Sequence, residues 1–287
     1  MDLGLNYDIE LPDKVTNILD QDFWVLENFN GSMIQHLTDP LKFTSNVSIL
    51  LKQGSCKADI NLFPYQIEAP CVVNIKSGQI LQLSDVSDDF EASFIVMSRR
   101  FCDKVFLLLK DCNVYPTAAG HQAVAVPLTL MPSFFDFYRH IGALSKDTEN
   151  PFVYQAMALS VSSFFFETAY KCYLPIIEDL PYGNNRLLDK FMSLVQQNFK
   201  SERFLEFYAD QLQITPKHLS RTIKALTGST AVEWIERYVI LEAKVLLKST
   251  NLNIQQIADE LHFPTQSFFG KYFKKKVGVS PKDFRNM

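Results

Sequence analysis

The stretch NIQQIADELHFPTQSFFGKYFKKKVG, from Asn253 to Gly278, decides the fold of the C-terminal part of this chain. Asn253 and Thr265 are residue types that favour the start of a helix, and Gly278 is the type that favours its end. Between them, apolar side chains recur at helical spacing, first in IADEL and then in SFFGKYF. The pattern predicts two helices joined by a tight turn.

The same pattern occurs earlier, in FLEFYADQLQITPKHLSRTIKALTG, residues 204–228. Thr215 is a good helix cap, Pro216 suits the first helical position, and Gly228 ends the second helix. Between the two copies, AVEWIERYVILEAKVLLKS has the length and the apolar face of one long helix. The sequence therefore predicts an all-α domain in which a long helix joins two helix-turn-helix motifs.

Charge is divided unevenly along the chain. The net charge is −4, yet residues 184–287 hold 16 Lys and Arg against 10 Asp and Glu, a balance of +6. Residues 1–183 hold 12 basic and 22 acidic residues, a balance of −10. This asymmetry predicts an acidic domain joined to a basic one, and only the basic domain would attract a polyanion.

Residues 20 to about 115 contain short segments rich in Val, Ile and Phe, separated by turn residues as in a β-sandwich or barrel. Gly54 and Gly78 are the expected turn points. The segments are FWVLENF, SMIQHLT, VSILLKQG, KADINLF, CVVNIKSG, QILQLSDV and EASFIVMS. From Met131 onward, PSFFDFYRHIGALS and PFVYQAMALSVSSFFFETAYKCYL have helical spacing. The acidic segment EDLPYGNN, residues 178–185, is the predicted linker.

Nothing in the sequence predicts catalysis, a metal site or a cofactor. The five cysteines, at positions 56, 71, 102, 112 and 172, form no C-x-x-C pair and are interpreted as reduced, packed thiols. His36, His121 and His140 precede residue 184 without an H-x-H pair. The acidic start lacks the features of a signal peptide, and Glu167 and Lys171 interrupt the longest apolar stretch. We therefore expect a cytoplasmic protein without a membrane span.

Residues 257–285, IADELHFPTQSFFGKYFKKKVGVSPKDFR, resemble the C-terminal signature of AraC/XylS-type bacterial transcription regulators. The resemblance implies an α+β protein with an N-terminal cupin-like β-barrel and following helices, then the all-α DNA-binding domain. The implied boundaries are a sensor domain at 1–130, a helical dimerisation region at 131–177, the linker, and the DNA-binding domain at 186–287. One departure is His262, which replaces the family's usual glycine in the second turn. It could adopt the left-handed conformation at some cost, or it could contact a phosphate.

The family's DNA-contacting positions carry over residue by residue. Arg221 is the strongest because a guanidinium can bind O6 and N7 of guanine together, although it could also be a solvated surface arginine. His218 would lie next to the DNA backbone, or be simply a buried or solvent-facing histidine, and Lys274 would contact a phosphate. The full set is Lys217, His218, Ser220 and Arg221 in the first recognition helix, and Gln266, Ser267, Gly270, Lys271 and Lys274 in the second.

Gly270 lies within a predicted helix, where glycine costs roughly 1 kcal/mol relative to alanine. Its absence of a side chain would let the helix sit deeper in a groove, or leave one position unread. The aromatic residues Phe268, Phe269, Tyr272 and Phe273 are interpreted as core that faces the helical bundle, since base stacking requires exposed rings.

The resemblance implies a sequence-specific DNA-binding regulator with double-stranded DNA as its partner. It is also compatible with a small-molecule effector for the N-terminal domain, or with none, because the family includes members that sense no small molecule. RNA polymerase is a further candidate partner. The helices of residues 131–175 carry more apolar surface than a linker needs, so we expect a homodimer. Two other function classes remain open at this point: a cupin-type metal enzyme with a DNA-binding appendage, and a protein-interaction module. The effector, the operator and the choice between activation and repression are not specified by the sequence.

Overall fold

The computed structural model describes residues 22–30, 39–109, 123–173 and 184–287. The chain divides into two units, one of Met1–Thr38 with Lys42–Leu180 and one of Asp39–Leu41 with Pro181–Met287. The predicted linker at 178–185 lies outside the described residues except for Asn184 and Asn185, which already belong to a helix.

The described strands form two antiparallel sheets. The five-stranded sheet has the order β1-β8-β3-β6-β9 and the four-stranded sheet the order β2-β7-β4-β5. Six predicted segments coincide with strands, and SMIQHLT lies outside the described part of the chain. The strands are β1 (Phe23–Asn30), β2 (Leu41–Lys42), β3 (Asn46–Gln53), β4 (Ser55–Ile60), β5 (Phe63–Glu68), β6 (Cys71–Ile75), β7 (Ile80–Ser84), β8 (Glu91–Met97) and β9 (Ala123–Ala125).

The expected closed barrel is wrong for the strands that the structure describes. A barrel requires each edge strand to find a partner, but no ladder joins the five-stranded to the four-stranded sheet in the ranges above. Gly54, at φ +78°, lies in the connection that takes the chain from β3 in one sheet to β4 in the other. Gly78, at φ +87°, is likewise the turn point that the sequence predicts.

Among the described residues, three α-helices, a 3-10 helix and a π-helix follow or interrupt the strands. They are α1 (Arg99–Leu109), the 3-10 helix Leu128–Leu130, α2 (Met131–Leu144), α3 (Val153–Phe164) and the π-helix Phe165–Ala169. One face of the five-stranded sheet packs on these helices in a single buried cluster that includes Leu50, Ile95, Phe101, Phe134 and Phe165. Helix α1 lies between the last predicted β segment, EASFIVMS, and the helices predicted after Met131, and it is not predicted from the sequence.

Four of the five cysteines are free and buried: Cys56, Cys71, Cys102 and Cys172. Burial raises the pKa of Cys56 and Cys172 to about 11, and that of Cys71 and Cys102 to about 12. These thiols are therefore protonated at neutral pH and are poor nucleophiles. The fifth, Cys112, lies outside the described residues.

From Asn184 onward, the second unit consists of helices joined by short connections. Its core includes Phe191, Tyr208, Trp234, Phe269 and Phe273, all buried. No helix in the described ranges is long and apolar enough to cross a membrane. The helices are α4 (Asn184–Asn198), α5 (Leu205–Gln211), α6 (Pro216–Thr227), α7 (Ala231–Ser249), α8 (Ile254–Glu260), α9 (Gln266–Val277) and α10 (Pro281–Asn286).

Candidate nucleic-acid interface

Helices α5 and α6, the first helix pair, meet at a tight turn. The Ile214 N–H donates to the carbonyl oxygen of Ala209 and the Gln213 N–H donates to that of Asp210, both at 3.0 Å. Gln213 has a φ of +56°, so the turn is a Schellman-type helix end built without glycine. Ala209 is fully buried, as a close crossing of two helices requires.

Helices α8 and α9, the second helix pair, meet at a turn with the same hydrogen bonds. The Phe263 N–H donates to the Ala258 carbonyl oxygen at 2.8 Å, and the His262 N–H donates to that of Asp259 at 2.9 Å. His262 has a φ of +52° and an exposed side chain. The left-handed conformation considered for this residue is therefore confirmed, at the position equivalent to Gln213.

The predicted ends of α6 and α9 are confirmed. Thr215 Oγ1 accepts a hydrogen bond from the His218 N–H at 3.2 Å, and Thr265 Oγ1 accepts one from the Phe268 N–H at 3.1 Å. Gly228 and Gly278 follow the two helices with φ values of +76° and +92°. Both helices start at a threonine cap and end at a left-handed glycine, and their residues correspond at a constant offset of 50 positions.

The predicted DNA-contacting residues occupy one side of each helix, away from the buried residues. In α6 the buried residues are Leu219 and Ile223, and in α9 they are Phe269 and Phe273. Lys217, His218 and Arg221 are exposed and Ser220 is half-buried; Gln266, Ser267, Lys271 and Lys274 are exposed and Gly270 is half-buried. The structure thus brings the predicted residues together as two separate faces, one on each helix.

The expected core position of Phe268 is wrong, since 58% of its surface is exposed. Phe269 and Phe273 fill the core side of α9, and Phe268 lies one residue, or about 100° around the helix, from Phe269. Its counterpart in the first pair is His218, a predicted DNA-contacting residue. The offset of 50 positions is the signal that identifies Phe268 from the sequence.

The surroundings of Gly270 do not require a glycine. A Cβ atom built on it meets no atom within 4 Å, and its φ lies in the ordinary helical range. The space beside Gly270 is therefore open and lies on the exposed face of α9. Its counterpart in α6 is Ser220, also a small residue.

Both faces are free of acidic residues and carry cations. Arg221, Lys271 and Lys274 make no ion pair within 4 Å with any residue in the described ranges. Lys276 differs, because its ammonium group lies 2.5 Å from Glu236 Oε2 on α7. The lysine run of α9 therefore divides into exposed cations and one that fixes the helix to α7.

Contacts at the start of the first helix pair fix it to the second. Lys200 lies 2.5 Å from Glu260 of α8 and 3.4 Å from the buried Glu242 of α7. Arg203 donates to the carbonyl oxygen of Leu261, in the turn of the second pair. Helix α7 contacts α6, α8, α9 and α10, so both helix pairs pack against the same long helix. The two exposed faces are thus held at a fixed separation.

Comparisons with known proteins identify what this chain is similar to. A family model described as a helix-turn-helix domain matches residues 208–287. The bifunctional transcriptional activator/DNA repair enzyme AdaA of Bacillus subtilis is 34% identical over 39% of this chain and 53% of its own length, so the chain spans about half of that relative. The HTH-type transcriptional activator RhaS of Mannheimia succiniciproducens is 21% identical over 83% of this chain and 85% of its own. A structure of ToxT from Vibrio cholerae is 17% identical over 93% of this chain and 98% of that chain, with a TM-score of 0.48.

Proposed function

Because the chain belongs to the AraC/XylS family of DNA-binding transcription regulators, we propose that it recognises a specific duplex through both helix pairs. Each pair acts as a helix-turn-helix motif, with α6 and α9 as the two recognition helices. A major groove admits a helix of this size, and its side chains can then reach base edges. The regulator would act on DNA in the cytoplasm, with RNA polymerase as a further partner at its promoters.

The repetition of one surface carries this proposal. Helices α6 and α9 share an N-terminal threonine cap, two buried residues at equal positions and a left-handed glycine stop. They also share a cationic residue at equal positions, Arg221 and Lys271. A helical bundle needs the caps and the buried residues, but nothing inside it needs the unpaired cations, whereas phosphates and guanine edges do.

The side-chain chemistry assigns a role to the DNA-contacting residues. Arg221 and Lys271 can donate hydrogen bonds to guanine, and Gln266 can form a pair of hydrogen bonds with N6 and N7 of adenine. Lys274 suits a phosphate, which would position the helix without reading sequence. His218 lies at the start of α6, next to the DNA backbone. Lys217, Ser220 and Ser267 complete the two faces, and Gly270 permits close approach.

The remaining residues divide by role in the same proposal. Residues 1–130 form the sensor domain, cupin-like in strand content, and bind a small effector. Residues 131–177 form the dimerisation region, residues 178–185 the linker, and residues 186–287 the DNA-binding domain. The resemblance to the family and the helical unit ending at Met287 support these assignments.

An exposed apolar stripe supports a homodimer. Phe152, Leu159 and Phe166 are spaced by seven residues along α3 and its π-helical extension, with 67%, 62% and 42% of their surfaces exposed. A seven-residue repeat returns to about the same side of an α-helix and is typical of helix–helix association. Phe135 of α2 adds a fourth exposed apolar side chain, 43% exposed. A second copy of the chain would cover this stripe.

The rival functions have less support. AdaA carries the words DNA repair enzyme in its name, but it matches only 39% of this chain. A metal enzyme needs clustered ligands, and no group of three such side chains lies close together among the residues that the structure describes. A protein-interaction module would not need the unpaired cations of α6 and α9.

Salt dependence of DNA binding by the full-length chain tests the proposal. The logarithm of the association constant should fall linearly with the logarithm of salt concentration, by about 0.9 for each phosphate contacted. Lys274→Ala should reduce that slope by about one contact. Lys190→Ala, an exposed lysine of α4 outside both helix pairs, is the matched control and should leave the slope unchanged. A chain that binds no DNA at low salt would refute the proposal.

A further inference from the structure

A cavity of about 80 Å³ lies between the five-stranded sheet and the helices that cover it. Ser48, Asn74 and Ile95 line its sheet side, and they are cross-strand neighbours in register, Ser48 opposite both Asn74 and Ile95. Neighbours in register point to the same face of a sheet, here the face packed on α2 and α3. The cavity therefore lies on the helix-covered face and outside the space between the two sheets.

The wall of this cavity is apolar, with a few hydrogen-bonding groups directed along one side. The Tyr138 hydroxyl is buried and donates to Ser48, at 3.3 Å to the carbonyl oxygen and 3.4 Å to Oγ. Both distances exceed the usual length of about 2.7–2.8 Å for a hydroxyl hydrogen bond, so the hydroxyl is held loosely. Asn74 Nδ2, by contrast, donates to the Tyr173 hydroxyl at 2.6 Å.

Charge is excluded from the site. The side chains lining the cavity include no Asp, Glu, Lys, Arg or His among the residues that the structure describes. Burial also raises the pKa of Tyr138, so that its hydroxyl stays neutral at physiological pH. An ion placed here would lose its hydration without gaining a partner, whereas a neutral molecule with one polar group would not. The cavity chemistry therefore selects a neutral ligand.

The helical side of the cavity contains the π-helix. Phe165 and Ala169, its first and last residues, both line the cavity. Single π-helical turns are rare and occur frequently at functional sites, because the wider turn costs stability that a purely structural helix would recover. The small side chain of Ala169 leaves open the space that a larger residue would fill. The open volume and the irregular helix thus coincide.

We propose that this sheet–helix cavity binds a small neutral molecule of the aliphatic alcohol or ketone class, with its oxygen paired to the Tyr138 hydroxyl. The volume is about half of the roughly 150 Å³ that holds benzene in an engineered cavity, which limits the ligand to about three or four non-hydrogen atoms. The ligand would fix α2 and the π-helix against the sheet. Any effect of the ligand on DNA binding rests on the proposed function, whereas binding of the ligand to the cavity does not.

Calorimetric titration of the full-length chain with propan-2-ol and acetone tests the site. We expect saturable binding of both probes and none of acetate, the charged analogue. Ala169→Leu should abolish binding by filling the cavity. Ala158→Leu is the matched control, since Ala158 packs against the same core without lining the cavity, and it should bind as the parent does. Absence of saturable binding to the parent chain, or binding that survives Ala169→Leu, overturns the proposal.

A second variant guards against misfolding of the filled protein. Tyr138→Phe keeps the ring and removes the hydroxyl, so affinity for propan-2-ol should fall about fivefold while xenon, an apolar probe, binds unchanged. Equal affinity of the parent chain and Tyr138→Phe for propan-2-ol would overturn the hydrogen-bonding role. DNA titration with and without propan-2-ol separates binding at the site from regulation: a changed DNA affinity supports regulation, and an unchanged one overturns regulation through this cavity. Failure of DNA binding in every condition would count against the proposed function alone.

Discussion

The guanidinium carbon of Arg203 lies 3.8 Å from the centroid of the Phe263 ring. Arg203 precedes the first helix pair, and Phe263 lies in the turn of the second. The same guanidinium donates to the carbonyl oxygen of Leu261. One side chain therefore joins the two motifs directly, in addition to the joint that α7 provides.

Arg203→Ala should weaken binding to a duplex that contains both recognised segments more than binding to either segment alone. The reason is that a stacked, partly buried arginine contributes about 2 kcal/mol to the contact that fixes the two faces. Anisotropy titrations with one-segment and two-segment duplexes measure the difference. Arg237→Ala, which removes a guanidinium lying over Trp234 of its own helix, is the control. Equal losses on both duplexes would show that Arg203 does not couple the motifs.

Gly270→Ala should raise helix stability by up to roughly 1 kcal/mol, because alanine has the higher helix propensity and its Cβ meets nothing within the chain. Gly270→Leu should instead reduce DNA affinity, since a bulky side chain would collide with the groove. Thermal unfolding and DNA titration of the same variants measure the two effects. A Gly270→Leu protein that binds as tightly as the parent would remove this face of α9 from the interface.

Phe268→Ala should reduce specific DNA affinity by roughly three- to tenfold, because an exposed ring beside the base-reading residues can contact a thymine methyl group. The test measures the affinity of the parent chain and of Phe268→Ala for the same duplex with thymine and with uracil in its place. The parent chain should lose affinity on that replacement, while Phe268→Ala should be indifferent to it. If both proteins respond equally to uracil, the ring reads no methyl group.

Leu159→Glu should shift the chain from dimer to monomer, since a charge in the centre of the apolar stripe cannot be desolvated without a partner. Sedimentation of the full-length chain at tens of micromolar checks this outcome. Phe204→Glu is the control, because Phe204 is 77% exposed but lies in the DNA-binding domain. A parent chain that is strictly monomeric at this concentration would contradict the homodimer.

Local signals explain why the helical unit is predictable from the sequence. The caps Thr215, Asn253 and Thr265 act through hydrogen bonds to residues three positions later, so a short stretch of sequence specifies them. The stops at Gly228 and Gly278 depend on one residue each. Helical spacing likewise predicts which side of α6 is exposed, and it predicts the exposed side of α9 except for Phe268.

The sequence-based predictions fail where the structure depends on nonlocal packing or on a turn whose residues carry no turn signal. The β4–β5 hairpin turns at Asn61 and Leu62, with φ values of +49° and +73°, and leucine there gives no turn signal. Closure of a barrel depends on which edge strands pair, which no local pattern specifies. Phe268 resembles the core aromatics beside it, and helical spacing alone does not separate it from them; its alignment with the exposed His218 does.

Selection from a pool of random duplexes by the purified full-length chain tests the central claim most directly. If α6 and α9 each read a major-groove segment, the retained sequences should share two blocks whose centres lie about 10 base pairs apart. Arg221→Ala should erase one block and Lys271→Ala the other, each costing roughly 1–3 kcal/mol on the parent sequence. Lys274→Ala should lower affinity for all sequences together and leave both blocks intact. Retained duplexes that share no sequence, or the same two blocks after Arg221→Ala and Lys271→Ala, would contradict the account.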